Sequence, residues 1–330
     1  MCYMDGRPPL PPRHPVCAWE TSTLLSSTTT SEPHVTPEKR HYLEAFALKV
    51  AVALFKPLSV DHASWLMGKL WRHVLPFGRR NRRALANLAL IMPQLTEPER
   101  RMIAAGVREN FGRVFIEAFR LEEIARDDSR FDLEGAQLLR RVAETGGGCI
   151  IASLHQGNWE ACTSAAIKLG LSPAGVYREL TNPLAEAYML EARAPFYPRG
   201  LFCKRPGSDI ARRLITVLKA GGTIAMLSDL RDDSGVHLDF LGEPSSAIAG
   251  PAFLARMTGR PLLAGRVVRT GGVRFRGEAV AIEVPVTDDR QADIAEATRR
   301  LSQVFEGWVR ENPEQWLWTH RKWDLPEEIR

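Results

Sequence analysis

Polar and apolar residues along this 330-residue chain fall into short blocks that change period. From Thr96 to Leu121 the pattern is helical, with an acidic start at Glu97 and Glu99. Gly146-Gly147-Gly148 breaks the chain, and Cys149 to Leu154 is a short apolar run suited to a buried strand. A helix is predicted from about Trp159 to Leu169, with Gly170 as its C-cap. The rhythm then repeats. A helix over Asp209–Lys219 ends at Gly221-Gly222 and is followed by a strand over Thr223–Leu227. A helix over Pro251–Thr258 ends at Gly259 and is followed by a strand over Leu262–Val268. Val280, Ile282 and Val284 alternate as a half-buried strand does. Helices alternating with strands predict an α/β fold with a largely parallel central sheet flanked by helices.

The N-terminal region reads differently. Residues 1–36 are dense in Pro, Ser and Thr, with too little apolar surface to offset the entropy of ordering. They show no basic segment followed by an apolar one, so no secretory signal is expected. Ala45 to Phe55 is strongly apolar but contains Lys49 and stops at Lys56-Pro57. A spanning helix needs about 20 apolar residues, so a run this short suits an interfacial or buried helix. Trp65 to Phe77 mixes aromatic residues with Lys69, Arg72 and His73, as the headgroup layer of a membrane favours. Two amphipathic helices packed on the domain are the alternative. The cluster Arg79-Arg80-Asn81-Arg82-Arg83 suits an anionic leaflet, or equally a solvated helix face.

Composition narrows the picture. At 45% hydrophobic and 25% charged, the chain can bury a sizeable core, and its net charge of +5 suits an anionic partner. The five cysteines are scattered and form no C-x-x-C pair, which argues against a disulfide framework or a zinc site and fits a reducing compartment.

The segment richest in chemistry is Ser153-Leu154-His155-Gln156-Gly157-Asn158-Trp159-Glu160. A strand ends, a histidine is presented, a Gly-Asn turn follows, and a glutamate lies in the first helical turn. Ligands of α/β sheets bind at the carboxyl ends of parallel strands. Five positions along one ideal helix splay side chains about 140° apart. His155 and Glu160 therefore meet only if Gly157 and Asn158 turn the chain back. In that event the imidazole takes a proton from a hydroxyl and the carboxylate fixes its tautomer. Alone, the spacing also fits a structural histidine with Glu160 stabilising a helix N-terminus.

His155 to Glu160 resembles the H-x-x-x-x-[DE] signature of glycerolipid-type acyltransferases, and its form HQGNWE is similar to the bacterial lipid A biosynthesis acyltransferases, the late lauroyl and myristoyl transferases. Further blocks follow in the family's order. They are Val176-Tyr177-Arg178 with Asn182-Pro183-Leu184, Leu227-Ser228-Asp229 with Val236 to Gly242, Gly250-Pro251-Ala252 with Thr258-Gly259, and Pro313 to Trp323. The resemblance spans about residues 40–324; Leu230 stands where the family commonly has Gln, and residues 1–36 have no counterpart. It implies a membrane-associated helical segment at 37–77 and an acyltransferase domain at 78–330, behind a disordered extension at 1–36. It further implies transfer of an acyl chain from acyl carrier protein to a hydroxyl of a lipid A precursor, at the cytoplasmic face of the cell inner membrane. His155 would be the general base and Glu160 its orienting partner, with no metal or organic cofactor. Arg178, Asn182, Asp229 and Arg321 are the expected substrate contacts. Arg178 would sit near a phosphate or the oxyanion, and Arg321 near a sugar phosphate. Asn182 alternatively starts the helix at Pro183, and Trp316, Trp318 and Trp323 are expected to pack.

Other classes fit less well. There is no G-x-S-x-G, H-E-x-x-H, Walker A loop or G-x-G-x-x-G. A phospholipid or aminolipid acceptor would use the same chemistry. A non-catalytic basic membrane-binding protein is the reading from another class. Nucleic acid is not an expected partner, because basic residues interleaved with aromatics near a stacking sheet are missing.

Overall fold

The computed structural model describes residues 36–74, 78–205, 207 and 209–325. The expectation of disorder at 1–36 falls almost wholly outside the described residues, as does 75–77 at the end of the aromatic segment. The described residues belong to one compact unit.

Helices α1 (Lys39–Phe55), α2 (Val60–His73), α3 (Arg79–Ile91), α4 (Glu97–Ala118) and α5 (Leu121–Arg126) come first. The alternating part then runs β1 (Phe131–Asp132), α6 (Gln137–Glu144), β2 (Ile150–Ser153), α7 (Ala161–Lys168), β3 (Pro173–Tyr177), α8 (Pro183–Arg193), β4 (Leu201–Cys203), α9 (Ile210–Lys219) and β5 (Thr223–Leu227). A hairpin of β6 (Val236–Phe240) and β7 (Glu243–Ala247) precedes α10 (Gly250–Thr258), β8 (Leu262–Gly271), β9 (Arg274–Ile282) and α11 (Arg290–Glu311).

The central sheet has the order β1-β9-β8-β2-β5-β3-β4. Every neighbouring pair is parallel except β8 with β9. This agrees with the largely parallel sheet expected from the sequence. All four residues of β2 are buried, as a strand covered on both faces requires. Ile150, Ala152 and Leu154 face one layer with Leu218 of α9, Leu254 of α10 and Phe305 of α11. Cys149 and Ile151 face the other with Leu139 of α6 and Ala166 of α7.

Local chemistry sets the element ends. Thr96 and Glu99 form a capping box at α4. Past α7, Gly170 at φ 91° donates to the Ile167 carbonyl, while Leu171 donates to that of Ala166. The chain thus leaves α7 through a left-handed glycine. The N-terminal helices lie on the same body. Ala63 and Met67 of α2 pack on Ile116 of α4, and α1 runs against α8. Among the described residues no helix is long and apolar enough to cross a membrane.

Candidate active site

Strands β2 and β5 are parallel neighbours in a register that sets Ser153 opposite Leu227. Ser228 N–H donates to the Ser153 carbonyl at 2.8 Å, extending the pairing one step. His155 and Asp229 each lie two residues past that matched pair, at the carboxyl edge of the sheet. Asp229 Oδ1 is 2.8 Å from His155 Nδ1, and Oδ2 accepts from the His155 backbone N–H at 2.9 Å. Trp316 Nε1–H donates to the same Oδ2 at 2.9 Å. Asp229 is 2% exposed, yet its carboxyl is held below the usual range. Burial opposes ionisation most strongly, and the charge and hydrogen bonds of His155 outweigh it.

This corrects the sequence expectation that Glu160 meets the imidazole. The carboxylate on the His155 ring is Asp229. Glu160 precedes α7 in a helical backbone conformation and turns to Arg193 at the end of α8, which donates from Nε to its Oε2 at 2.9 Å and from a terminal nitrogen to its Oε1 at 2.5 Å. The physical reason is the one helix geometry already supplied: two side chains five positions apart diverge. The Gly157-Asn158 turn is used to present His155, and does not fold it back onto Glu160.

That turn is held from several sides. Gly157 sits at φ +58°, where a Cβ would meet the Val267 carbonyl oxygen at 2.1 Å. Asn158 Oδ1 accepts from Ala161 N–H at 3.1 Å, and its Nδ2 donates to Glu117 Oε2 at 2.7 Å. Glu117 is fully buried on α4 and also accepts from Arg269 and Ser64. Leu317 N–H donates to the His155 carbonyl at 3.0 Å, so the C-terminal segment lies across the site. The ring of His320 is 5.1 Å from that of His155, and Trp159 lies edge-on at 5.5 Å. Burial pushes His320 down to about 4, with the neighbouring His155, Arg80 and Arg83 adding to it against the opposing pull of Asp229.

The remaining predicted contacts disperse. Arg178 is exposed just past β3. Asn182 caps α8, accepting from Leu184 and Ala185 N–H, and donates to the His41 carbonyl and Glu44 at 2.9 Å each. Both ends of its amide are thus committed within the protein. Arg321 is exposed beside His320. Trp318 and Trp323 pack in the core as expected, whereas Trp316 also orients Asp229. The parts missed in the sequence are the Trp316 bond and the approach of His320. Their signal was a histidine and indole-rich segment whose place in space only the fold supplies.

The arrangement has a base, a buried orienting carboxylate and no serine or cysteine among the residues bonded to either, which suits activation of an external hydroxyl. Known proteins resemble the chain along most of its length. The family model for bacterial lipid A biosynthesis acyltransferase matches residues 33–324. A phosphatidylinositol mannoside acyltransferase of Mycobacterium tuberculosis (strain ATCC 25618 / H37Rv) is 27% identical over 265 residues, covering 74% of this chain and 78% of that protein. The lipid A biosynthesis palmitoleoyltransferase of Escherichia coli (strain K12) is 24% identical over 289 residues, covering 86% and 91%. The chain belongs to the bacterial lipid A biosynthesis acyltransferase family and is an acyltransferase.

Proposed function

We propose that the protein transfers a fatty acyl chain from acyl carrier protein to a hydroxyl of a lipid A precursor, with His155 as general base and Asp229 as its orienting carboxylate. The observation that carries this reading is the Asp229 Oδ1 to His155 Nδ1 contact of 2.8 Å at the carboxyl ends of β2 and β5. With Nδ1–H donated to Asp229, His155 Nε2 is left as the basic nitrogen. It takes the acceptor's proton as the oxygen attacks the thioester carbonyl. The C–S bond then breaks, and the leaving thiolate takes the proton back from the imidazolium, which Asp229 stabilises. Glu160 has a different task here: with Arg193 it ties α7 to α8 behind the histidine turn. Arg178, past the carboxyl end of β3, is assigned to the acceptor or oxyanion side.

Membrane association is proposed to run through α1 and α2. Tyr42, Leu43, Phe46, Val50 and Leu54 form an exposed stripe along α1, and Trp65 and Leu66 are exposed on α2. Lys39, Arg40 and Lys49 stand among them. Such a face suits a helix lying in the headgroup layer, as expected at the cytoplasmic side of the inner membrane.

A second acceptor is favoured by one finding. Relatives at 27% identity are named for phosphatidylinositol mannoside, so another glycolipid is the alternative to lipid A. Mass spectrometry of lipid A from a strain lacking the protein tests the first reading. Loss of one acyl chain is expected. An unchanged lipid A profile with a changed inner-membrane glycolipid would move the assignment to the second.

A further inference from the structure

Four guanidiniums gather beside the reaction centre without a carboxylate among them. Arg79, Arg80 and Arg83 stand on α3 three or four positions from one another or adjacent, and so share a face. Asn87, one turn on, donates to the carbonyls of Trp318 at 2.7 Å and His320 at 3.0 Å. Arg83 reaches the Thr319 carbonyl at 3.4 Å. These bonds lay α3 along the segment that carries His320 and Arg321. Burial depresses the basicity of Arg83, and the charges of Arg321, Arg79 and Arg80 depress it further.

Three features of this cluster are costly as they stand. Among the described residues none of the four forms an ion pair, so their mutual repulsion is uncompensated. Arg83 Nε and His320 Nε2 are buried without a hydrogen-bond partner, which calls for an explanation in any folded protein. Arg79 and Arg80 also stand in the first turn of a helix, whose dipole disfavours cations there. An anion placed between α3 and Arg321 relieves all three at once.

We propose that Arg79, Arg80, Arg83 and Arg321 form a seat for the phosphate of a phosphate-bearing substrate, next to His155 by way of His320. The proposal rests on the acyltransferase reading above and deepens it by naming the anionic group that reading must accommodate. Guanidinium forks match phosphate oxygens two at a time, so the seat orients its substrate as well as attracting it. The phosphate has two possible sources, the phosphopantetheine arm of an acyl donor and the headgroup of a lipid acceptor.

The test is the full-length chain in detergent, wild type against the double variant Arg80→Gln/Arg321→Gln, with melting temperature as the folding control. Titration calorimetry with inorganic pyrophosphate needs no turnover, and about tenfold weaker binding is expected for the variant. Kinetics then use acyl-coenzyme A or phosphate-free acyl-N-acetylcysteamine as donor, with a phosphorylated or dephosphorylated lipid A precursor as acceptor. KM is expected to rise about tenfold or more for the phosphate-bearing substrate, with kcat nearly kept. A rise seen with acyl-coenzyme A alone assigns the donor; one that follows the acceptor's phosphate with either donor assigns the acceptor. The variant Arg80→Lys/Arg321→Lys should recover part of the loss, because the charge remains. Unchanged pyrophosphate binding and unchanged KM for every substrate would overturn the seat. So would a defect confined to sedimentation with anionic phospholipid vesicles, which would make the arginines a membrane contact. If the wild type transfers no acyl group from either donor, the acyltransferase assignment of substrates fails, and the calorimetry still decides the seat.

Discussion

At the scale of single residues, the division of labour between two carboxylates is the testable point. Asp229→Asn keeps the volume but removes the acceptor that fixes the His155 tautomer. We expect kcat to fall by about 10³–10⁴-fold, with KM little changed and the melting temperature close to wild type, measured by steady-state acyl transfer. Glu160→Gln should act on the fold instead. Glu160 is buried and Arg193 keeps only part of its side chain in water, so the change leaves a guanidinium without its charge partner. A loss of about 3 kcal/mol in unfolding free energy is expected, with activity per folded molecule well above that of Asp229→Asn. His320 gives a pH signature. Its folded value of about 4 lies below the ordinary 6.5, so between those values the unfolded chain binds a proton that the folded protein refuses. Stability from this group therefore falls as pH drops from 6.5 towards 4. A His320→Gln variant should lose less melting temperature than wild type over that interval. The sequence drew attention to His155 and Glu160, because a motif lies within one short segment. It also named Asp229 as a substrate contact. It did not join Asp229 to His155, because the two are 74 residues apart and only the register of β2 on β5 makes them neighbours.

Among the elements, the strand–turn–helix unit around His155 was the most legible. Strand β5 falls on the residues its apolar run predicted, and β2 and α7 lie within a residue or two of theirs, because each is bounded by glycine or by a change of period. The supports of the turn were less legible. Glu117 read as a charged position in a helix and Arg269 lay just past a predicted strand, yet they pair with each other in the structure and Glu117 holds Asn158. Gly157→Ala should break this unit. Its Cβ would be driven into the Val267 carbonyl and the backbone held in the left-handed region. We expect a destabilisation of several kcal/mol, about 3 or more, read by denaturant unfolding. The exposed stripe of α1 makes the opposite kind of prediction. Leu43→Glu with Phe46→Glu replaces side chains that are 70% and 66% exposed, so the melting temperature should hardly move. Co-sedimentation with phospholipid vesicles should fall severalfold if this face meets the bilayer.

For the whole molecule, the candidate site draws on distant stretches of chain: His155 from just past β2, Asp229 from just past β5, and Trp316 and His320 from the C-terminal segment. Parallel strands pair only after the intervening chain has closed, and such non-local pairing is slow to form. The first 300 residues carry every strand of that sheet, whereas Trp316, whose indole donates to Asp229, is made only afterwards. Recovery of acyl transfer after denaturation should accordingly trail the return of helical signal. The cluster around His155 is thus completed by chain that is made after the sheet carrying His155 and Asp229.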